Sequence, residues 1–246
     1  MKKIVLINQK LAKLIILSLF LSLTLNAQSK KPAAPKQPGL KSEDAKKAPP
    51  KMDGSIVELT TDYGVIKIKL YDATPKHQTN FLKLAKSGFY DSLLFHRVIQ
   101  GFMIQGGDPT SKNAPVEKML GGGDIGVKIP AEFNDAFYHK RGAVAAARDN
   151  NPEMQSSGCQ FYIVQGKKIS NEELNAMEQR SGKPYTAEQR KTYTDIGGTP
   201  FLDHAYTVFG EVISGMDAVD AIAALPKGAA DRPINDVIIK SIKILK

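Results

Sequence analysis

The clearest pattern in the chain is the alternation of apolar and polar positions in short runs. In Val65–Tyr71, the residues Ile66, Ile68 and Leu70 alternate with two lysines and a tyrosine. This spacing is typical of a strand with one buried face. Residues 55–61 form a similar run, and the intervening Asp-Tyr-Gly predicts a tight hairpin turn. The run 237–245 predicts a final strand.

Two segments instead have helical spacing. The first opens at Thr74-Pro75, where threonine can cap a helix and proline is tolerated, and it ends at Gly88. Its predicted apolar stripe consists of Phe81, Leu82, Leu84 and Ala85. The second follows Ser214, which with Asp217 predicts a capping box. Many short strands, glycine-rich turns and only two principal helices predict a mainly β fold, a barrel or a sandwich.

The N-terminus has a different organisation. A basic start with four lysines precedes the apolar run Leu14–Leu25, which is followed by Asn26-Ala27. That run is shorter than the ~20 residues that span a bilayer as a helix. It predicts a secretory signal peptide over 1–27, and the alternative is an uncleaved membrane anchor. We expect an exported protein without stable membrane insertion after cleavage, periplasmic in a diderm bacterium and otherwise secreted.

Residues 28–54 are rich in Lys, Pro and Ala, which predicts a flexible linker before a single domain over 55–246. The net charge of +9 divides into +4 for the signal, +4 for the linker and +1 for the domain. The domain is therefore nearly neutral, and we expect no nucleic-acid partner. The cationic linker predicts a soluble spacer, with contact to anionic lipid or cell-wall polymer as the alternative.

Other chemistry has weak support in the sequence. Cys159 is the only cysteine, and the four histidines lack metal-ligand spacing, so we expect no disulfide, metal or cofactor. Residues 121–126 match a G-x-G-x-x-G pattern, but Pro130 follows closely and no helix is readable. We interpret that segment as a turn with positive φ angles.

The most informative stretch is residues 95–108, FHRVIQGFMIQGGD, in which Arg97 lies among apolar residues with Gln105 nearby. An arginine beside an apolar pocket suits a ligand such as a proline in a peptide. The stretch resembles the signature of the cyclophilin-type peptidyl-prolyl isomerases. The resemblance continues through RGAVAAAR at 141–148, SGCQFYI at 157–163 and FLDHAYTVFGE at 201–211.

The resemblance implies a closed eight-stranded antiparallel β-barrel capped by two α-helices, with the active surface on the outer face. Relatives usually have a short connection where this chain has about 33 residues, a predicted helical insertion at 167–199. Capping boxes are predicted at Ser170 with Glu173 and at Thr186 with Gln189. The insertion is either a tolerated loop or a recognition element beside the site.

The resemblance also implies site roles. Arg97 would be the catalytic donor, with Phe102 and Gln105 as the other catalytic residues. The implied substrate-binding residues are His96, Met103, Ala147, Arg148, Gln160, Tyr162, Phe201, Leu202 and Tyr206. Of these, Gln160 and the backbone of 147–148 would align the peptide as an added strand. Phe102, Met103 and Leu202 could instead be ordinary core, and Gln160 a buried, satisfied amide.

Three positions depart from the family pattern: Tyr162 for phenylalanine, Phe201 for tryptophan and Tyr206 for histidine. Loss of the indole N–H at Phe201 predicts weaker cyclosporin binding. We expect a monomeric isomerase acting on proline-containing peptides and unfolded exported proteins, assisting their folding. The alternatives are an idle peptide-binding module or chaperone, which would need no donor at the prolyl nitrogen, and an assembly component acting through the insertion.

Overall fold

The computed structural model describes residues 54–246. The predictions for the signal peptide and, apart from Gly54, the linker lie outside these residues. The described part contains ten strands and four α-helices. The strands are β1 Ile56–Thr61, β2 Gly64–Leu70, β3 Arg97–Ile99, β4 Met103–Gly106, β5 Lys128–Ile129, β6 Ala143–Ala146, β7 Ser156–Ser157, β8 Phe161–Val164, β9 Val208–Ser214 and β10 Ser241–Ile244. The helices are α1 Pro75–Lys86, α2 Asn171–Ser181, α3 Ala187–Asp195 and α4 Met216–Ala223.

Eight strands form one antiparallel sheet in the order β10-β1-β2-β9-β6-β8-β4-β3. The closed barrel predicted above is wrong, because the end strands β10 and β3 do not pair and the sheet is an open, curled half-barrel. Irregular segments bridge the gap instead: Phe95 N–H donates to the Val237 carbonyl at 2.9 Å, and Ile239 N–H donates to that of Leu93 at 2.8 Å. The predicted final strand is correspondingly shorter, since only 241–244 pair regularly with β1. Strands β5 and β7 form a separate small sheet.

The predicted hairpin is confirmed. Strands β1 and β2 pair with Leu59 opposite Ile66 and Val57 opposite Ile68, and all four side chains are fully buried. The Thr61 hydroxyl donates to the Gly64 carbonyl at 3.0 Å and closes the turn. Burial of these apolar faces drives the pairing.

Helices α1 and α4 pack against the main core through Phe81, Ala85, Val219 and Ile222. Two capping predictions are wrong. The Thr74 hydroxyl donates to the Tyr71 carbonyl rather than capping α1, and α4 begins after Gly215, whose φ of 93° turns the chain directly out of β9. Residues 54–246 contain no helix with the length and apolar character needed to cross a bilayer.

The insertion is helical as predicted. Both capping boxes form, at Ser170 with Glu173 before α2 and at Thr186 with Gln189 before α3. Leu174 and Tyr193 are fully buried and, with Ile169, make a small core of its own. The insertion is therefore an ordered element.

The sheet separates two apolar clusters. In β8, Phe161 and Ile163 belong to the main core, while Tyr162 and Val164 belong to a second cluster on the opposite face. This alternation between the two clusters follows from the two-residue period of a strand. Phe102, Leu202 and Tyr206 are half-buried against the second cluster, which forms the floor of a surface cleft.

Candidate active site

A cleft of about 390 Å³ lies over this second cluster. Ten of the twelve predicted site residues line it: His96, Arg97, Phe102, Met103, Gln105, Ala147, Arg148, Tyr162, Leu202 and Tyr206. Gln160 and Phe201 do not. Leu120, Gly121, Ala230 and Asp231 also line the cleft, and the sequence interpretation missed them.

The sheet places the central polar residues in one row. Arg97 of β3 lies opposite Gln105 of β4, and Gln105 lies opposite Tyr162 of β8. The Arg97 Nη1 atom is 3.4 Å from Gln105 Oε1, a long hydrogen bond. The guanidinium carbon lies 5.9 Å from the centre of the Phe102 ring. A charged donor thus lies beside an apolar surface.

Gln160 lies behind this row. Its amide accepts a hydrogen bond from Gln105 Nε2 at 3.0 Å and donates to the carbonyls of Gly121 and Gly123 at 3.0 and 2.7 Å. The residue is 6 % exposed. The predicted direct alignment of substrate by Gln160 is therefore not supported, because its amide is already bonded within the protein. Its contacts instead orient Gln105 and, through it, Arg97.

Asp108 fixes the glycine loop that receives Gln160. Its carboxylate accepts hydrogen bonds from the N–H groups of Thr110, Gly121 and Gly123. Burial opposes the charge, but these N–H groups hold the pKa of Asp108 below its ordinary value. A Cβ at Gly123 would lie 1.9 Å from Asp108 Oδ1, so the loop requires glycine there. The predicted positive φ angles occur at Gly121 and Gly126.

Asp231 is the main polar residue that sequence reasoning missed. Its Oδ2 lies 3.6 Å from Arg97 Nε, and its Oδ1 lies 2.7 Å from Lys227 Nζ. Asp231 and Ala230 have φ values of 60° and 55°, in the left-handed region that non-glycine residues rarely adopt. That backbone turns Asp231 toward Arg97 from a position far along the chain. No local pattern could have signalled the contact.

The Tyr162 ring forms part of the cleft floor, and its hydroxyl points away from the cleft into a buried network. The hydroxyl is 2.9 Å from His139 Nε2, and His139 Nδ1 is 2.8 Å from Asp203 Oδ1. Tyr193 of α3 donates to the other oxygen of Asp203. Burial raises the pKa of Tyr162 well above its ordinary value, so its hydroxyl stays protonated. The tyrosine therefore connects the cleft floor to the insertion.

Arg148 organises the wall of the cleft near Tyr206. Its Nε donates to the Ala205 carbonyl at 2.9 Å, and its guanidinium carbon lies 4.9 Å from the centre of the Tyr206 ring. The backbone of Ala147 is committed, because its N–H donates to Gln160 and its carbonyl accepts from Ser157. The predicted pairing of a peptide with residues 147–148 is thus restricted to Arg148, whose backbone bonds to no other described residue.

His96, one of the implied substrate-binding residues, is only 2 % exposed. Neither ring nitrogen has a hydrogen-bond partner among the described residues. Burial lowers the pKa of His96 to about 4, so the ring is neutral at pH 7. It supplies an aromatic wall between the cleft and a smaller neighbouring cavity.

Phe201 lies outside the cleft, 59 % exposed, with its ring centre 5.6 Å from that of Phe102. Cys159 is buried, and burial raises the pKa of its thiol, which disfavours a nucleophilic thiolate. No cluster of three or more potential metal ligands occurs among residues 54–246.

Comparison with known proteins gives one family. The family model for cyclophilin type peptidyl-prolyl cis-trans isomerase/CLD matches residues 56–244. A Staphylococcus haemolyticus protein named as a peptidyl-prolyl cis-trans isomerase is 39% identical over 189 residues, covering 76% of this chain and 90% of the relative. A Streptococcus pyogenes protein named as a bifunctional phosphatase/peptidyl-prolyl cis-trans isomerase is 40% identical over 197 residues, covering 78% of this chain but only 39% of the relative.

Among solved structures, similarity extends to a Cryptosporidium parvum cyclophilin type peptidyl-prolyl cis-trans isomerase crystallised in the presence of the dipeptide Ala-Pro. That protein shares 27% identity with this chain, at a TM-score of 0.56. The match covers 78% of this chain and 99% of the other.

Proposed function

The chain belongs to the cyclophilin-type peptidyl-prolyl cis-trans isomerases and is such an enzyme, and from this premise we propose that it rotates X–Pro bonds of exported proteins, using Arg97 as the donor. The Ala-Pro dipeptide used with the Cryptosporidium parvum relative supports proline-containing peptides as the substrate class. The observation that carries the proposal is the Arg97 guanidinium beside the apolar floor of the cleft.

The chemistry requires no bond cleavage. Rotation about a peptide bond has a barrier of ~18–20 kcal/mol because the amide must lose its conjugation. In the twisted amide the prolyl nitrogen regains a lone pair, which a nearby N–H can stabilise. A donor that bonds only this twisted state lowers the barrier without tightening ground-state binding.

In the proposed arrangement the proline ring packs on Phe102, Met103 and Leu202, and Arg97 donates toward the prolyl nitrogen. Gln105 holds the guanidinium from one side and Asp231 from the other. Because Gln105 is itself bonded to Gln160, the donor is oriented before substrate arrives. Preorganised charged donors of this kind give the largest single contribution in many enzymes.

The test measures the cis–trans exchange rate of a short X–Pro peptide by NMR. Arg97→Ala should lower kcat/KM by ~10²–10³, as removal of a preorganised donor does elsewhere. Arg97→Lys should also lose most activity, because an ammonium lacks the planar fork of a guanidinium. Lys243→Ala, which removes an exposed cation from β10, is the control. Near-native turnover by Arg97→Ala would refute the donor role.

The proposal that the substrates are exported proteins depends on the predicted signal peptide at 1–27. Its basic start and short apolar run support export. Expressed in a bacterium, the chain should be recovered outside the cytoplasm with a mature N-terminus at Gln28, as read by intact mass. Leu19→Arg should block export. Recovery of the uncleaved chain in the cytoplasm would contradict the proposal.

A further inference from the structure

A second cavity, of about 440 Å³, lies where the insertion meets the turn at Pro200–Leu202. Helix α2 and the connection that follows it form one side, and the turn forms the other. The cavity wall includes Met177, Arg180, Lys183, Tyr185, Phe201 and Asp203. Most of the cavity wall therefore comes from the predicted insertion at 167–199.

The Tyr185 side of the cavity is held in a defined position. Tyr185 N–H donates to Glu178 at 2.6 Å, and its hydroxyl donates to the Pro200 carbonyl at 3.2 Å. Its ring packs edge-on against Tyr193, with ring centres 5.7 Å apart. Contacts from the insertion and from the turn thus fix the same side chain, and the cavity is a preformed feature.

Two cations, Arg180 and Lys183, and one carboxylate, Asp203, line this cavity, so its net charge is positive. Arg180 and Lys183 are exposed and form no ion pair with another described residue. Glu178 is neutralised by Arg190, and the Asp203 carboxylate accepts hydrogen bonds from His139 and Tyr193. Two free cations therefore border an interior lined by methionine, tyrosine and phenylalanine.

The cavity also lies next to the active-site cleft. Leu202 lines the cleft, and the preceding residue, Phe201, lines the second cavity. The Cα atoms of consecutive residues are about 3.8 Å apart, and the Phe201 ring centre lies 5.6 Å from that of Phe102, which lines the cleft. An extended peptide advances about 3.3–3.6 Å per residue. A chain with its proline in the cleft can therefore enter the second cavity within a few residues.

Resting on the proposed function of the cleft, we propose that the insertion cavity is an accessory subsite for the same substrate chain. It binds a segment in which an aromatic or large aliphatic side chain is next to a carboxylate. The apolar side chain fills the interior, and the carboxylate pairs with Arg180 and Lys183. The insertion thereby selects X–Pro sites by the residues that flank them.

The test uses the full chain and fluorescein-labelled peptides built on Ala-Ala-Pro-Ala. One series carries Phe-Glu two to four residues from the proline on either side, a matched series carries Phe-Gln, and the core peptide carries neither. Dissociation constants come from fluorescence anisotropy. The variants are Arg180→Glu with Lys183→Glu, the milder Arg180→Gln, and the control Lys168→Glu, an exposed lysine of the insertion outside the cavity.

At one or more placements, Phe-Glu should bind about ten-fold more tightly than the core peptide, since about 1.4 kcal/mol corresponds to ten-fold. The advantage of Glu over Gln should vanish in the double variant, weaken in Arg180→Gln and persist in Lys168→Glu. Equal affinity for all peptides, or an advantage unchanged by both cavity variants, would overturn the proposal. Turnover of the core peptide in the same samples tests the cleft separately, so failure of one proposal is distinguishable from failure of the other.

Discussion

Replacing Tyr162 by phenylalanine removes one hydroxyl from the cleft floor and leaves the ring in place. The substitution removes a contact on the far side of the ring, where that hydroxyl lies 2.9 Å from His139 Nε2. His139 Nδ1 faces the Asp203 carboxylate, so Nδ1 carries the proton and Nε2 accepts from the tyrosine. Phenylalanine would leave Nε2 without a donor.

The size of the effect follows from burial. The His139 side chain is 1% exposed, so water cannot replace the lost donor. An unsatisfied buried polar group costs about 1–3 kcal/mol. In a domain of this size about 1 kcal/mol shifts the melting temperature by ~2–4 °C. We therefore expect Tyr162→Phe to lower the free energy of unfolding by about 1–3 kcal/mol and Tm by roughly 2–12 °C.

Tyr206→Phe is the matched control. Tyr206 lines the same cleft and packs against Tyr162 with ring centres 6.0 Å apart, but its hydroxyl bonds to no described residue. Its loss should change stability by no more than about 0.5 kcal/mol. Urea denaturation and calorimetry on both variants make the measurement. Equal stability of the two variants would show that the Tyr162–His139 contact contributes nothing and would refute the reasoning.

Asp231→Asn should lower kcat/KM by up to about five-fold, since the ion pair with Arg97 is partly exposed and such pairs contribute ~0.2–1 kcal/mol. Asp62→Asn in the β1–β2 turn is its control, and an equal loss there would rule out a specific contact. Burial lowers the pKa of His96 in the folded protein to about 4, against 6.5 in the unfolded chain. Between pH 6.5 and pH 4 the unfolded chain therefore binds more protons, and the free energy of unfolding decreases as the pH is lowered. His96→Gln should remove up to roughly 3 kcal/mol of the loss in unfolding free energy at pH 4, as measured by urea titrations at several pH values. An unchanged pH dependence of stability would contradict the buried, neutral state of His96. Phe201→Trp should tighten cyclosporin binding by about 0.5–1.5 kcal/mol by restoring a donor. Calorimetry that shows no gain in cyclosporin affinity would refute the predicted contribution of an indole N–H at position 201.

Local patterns in the sequence were sufficient for several elements. The β1–β2 hairpin, the α1 segment and both capping boxes of the insertion depend on residues within a few positions of one another. The alternation in Val65–Tyr71 places Ile66 and Ile68 inside because a strand's side chains alternate between its faces. The four sequence blocks together identified the family, which the comparisons confirm.

Tertiary structure decided everything that depends on distant parts of the chain. The sheet stays open because β3 and β10 do not pair, and the irregular segments before them, 92–95 and 237–239, bond across the gap instead. Strand periodicity does not reveal this. Gln160 was predicted to contact substrate, yet its partners Gly121 and Gly123 lie about forty positions earlier in the chain and draw it behind the cleft.

The same reason explains what sequence reasoning missed in the site. The Asp231 contact with Arg97 joins residues more than a hundred positions apart through a left-handed backbone turn. The Tyr162 hydroxyl contacts His139, which contacts Asp203, so the departure from phenylalanine connects the cleft floor to Tyr193 of the insertion. The sequence by itself determined the residue types, the local elements and the family. Only the tertiary structure determined which buried donors and acceptors meet. A polar group that loses water on burial is stabilised by a hydrogen-bond partner, and the fold decides which distant residue supplies that partner.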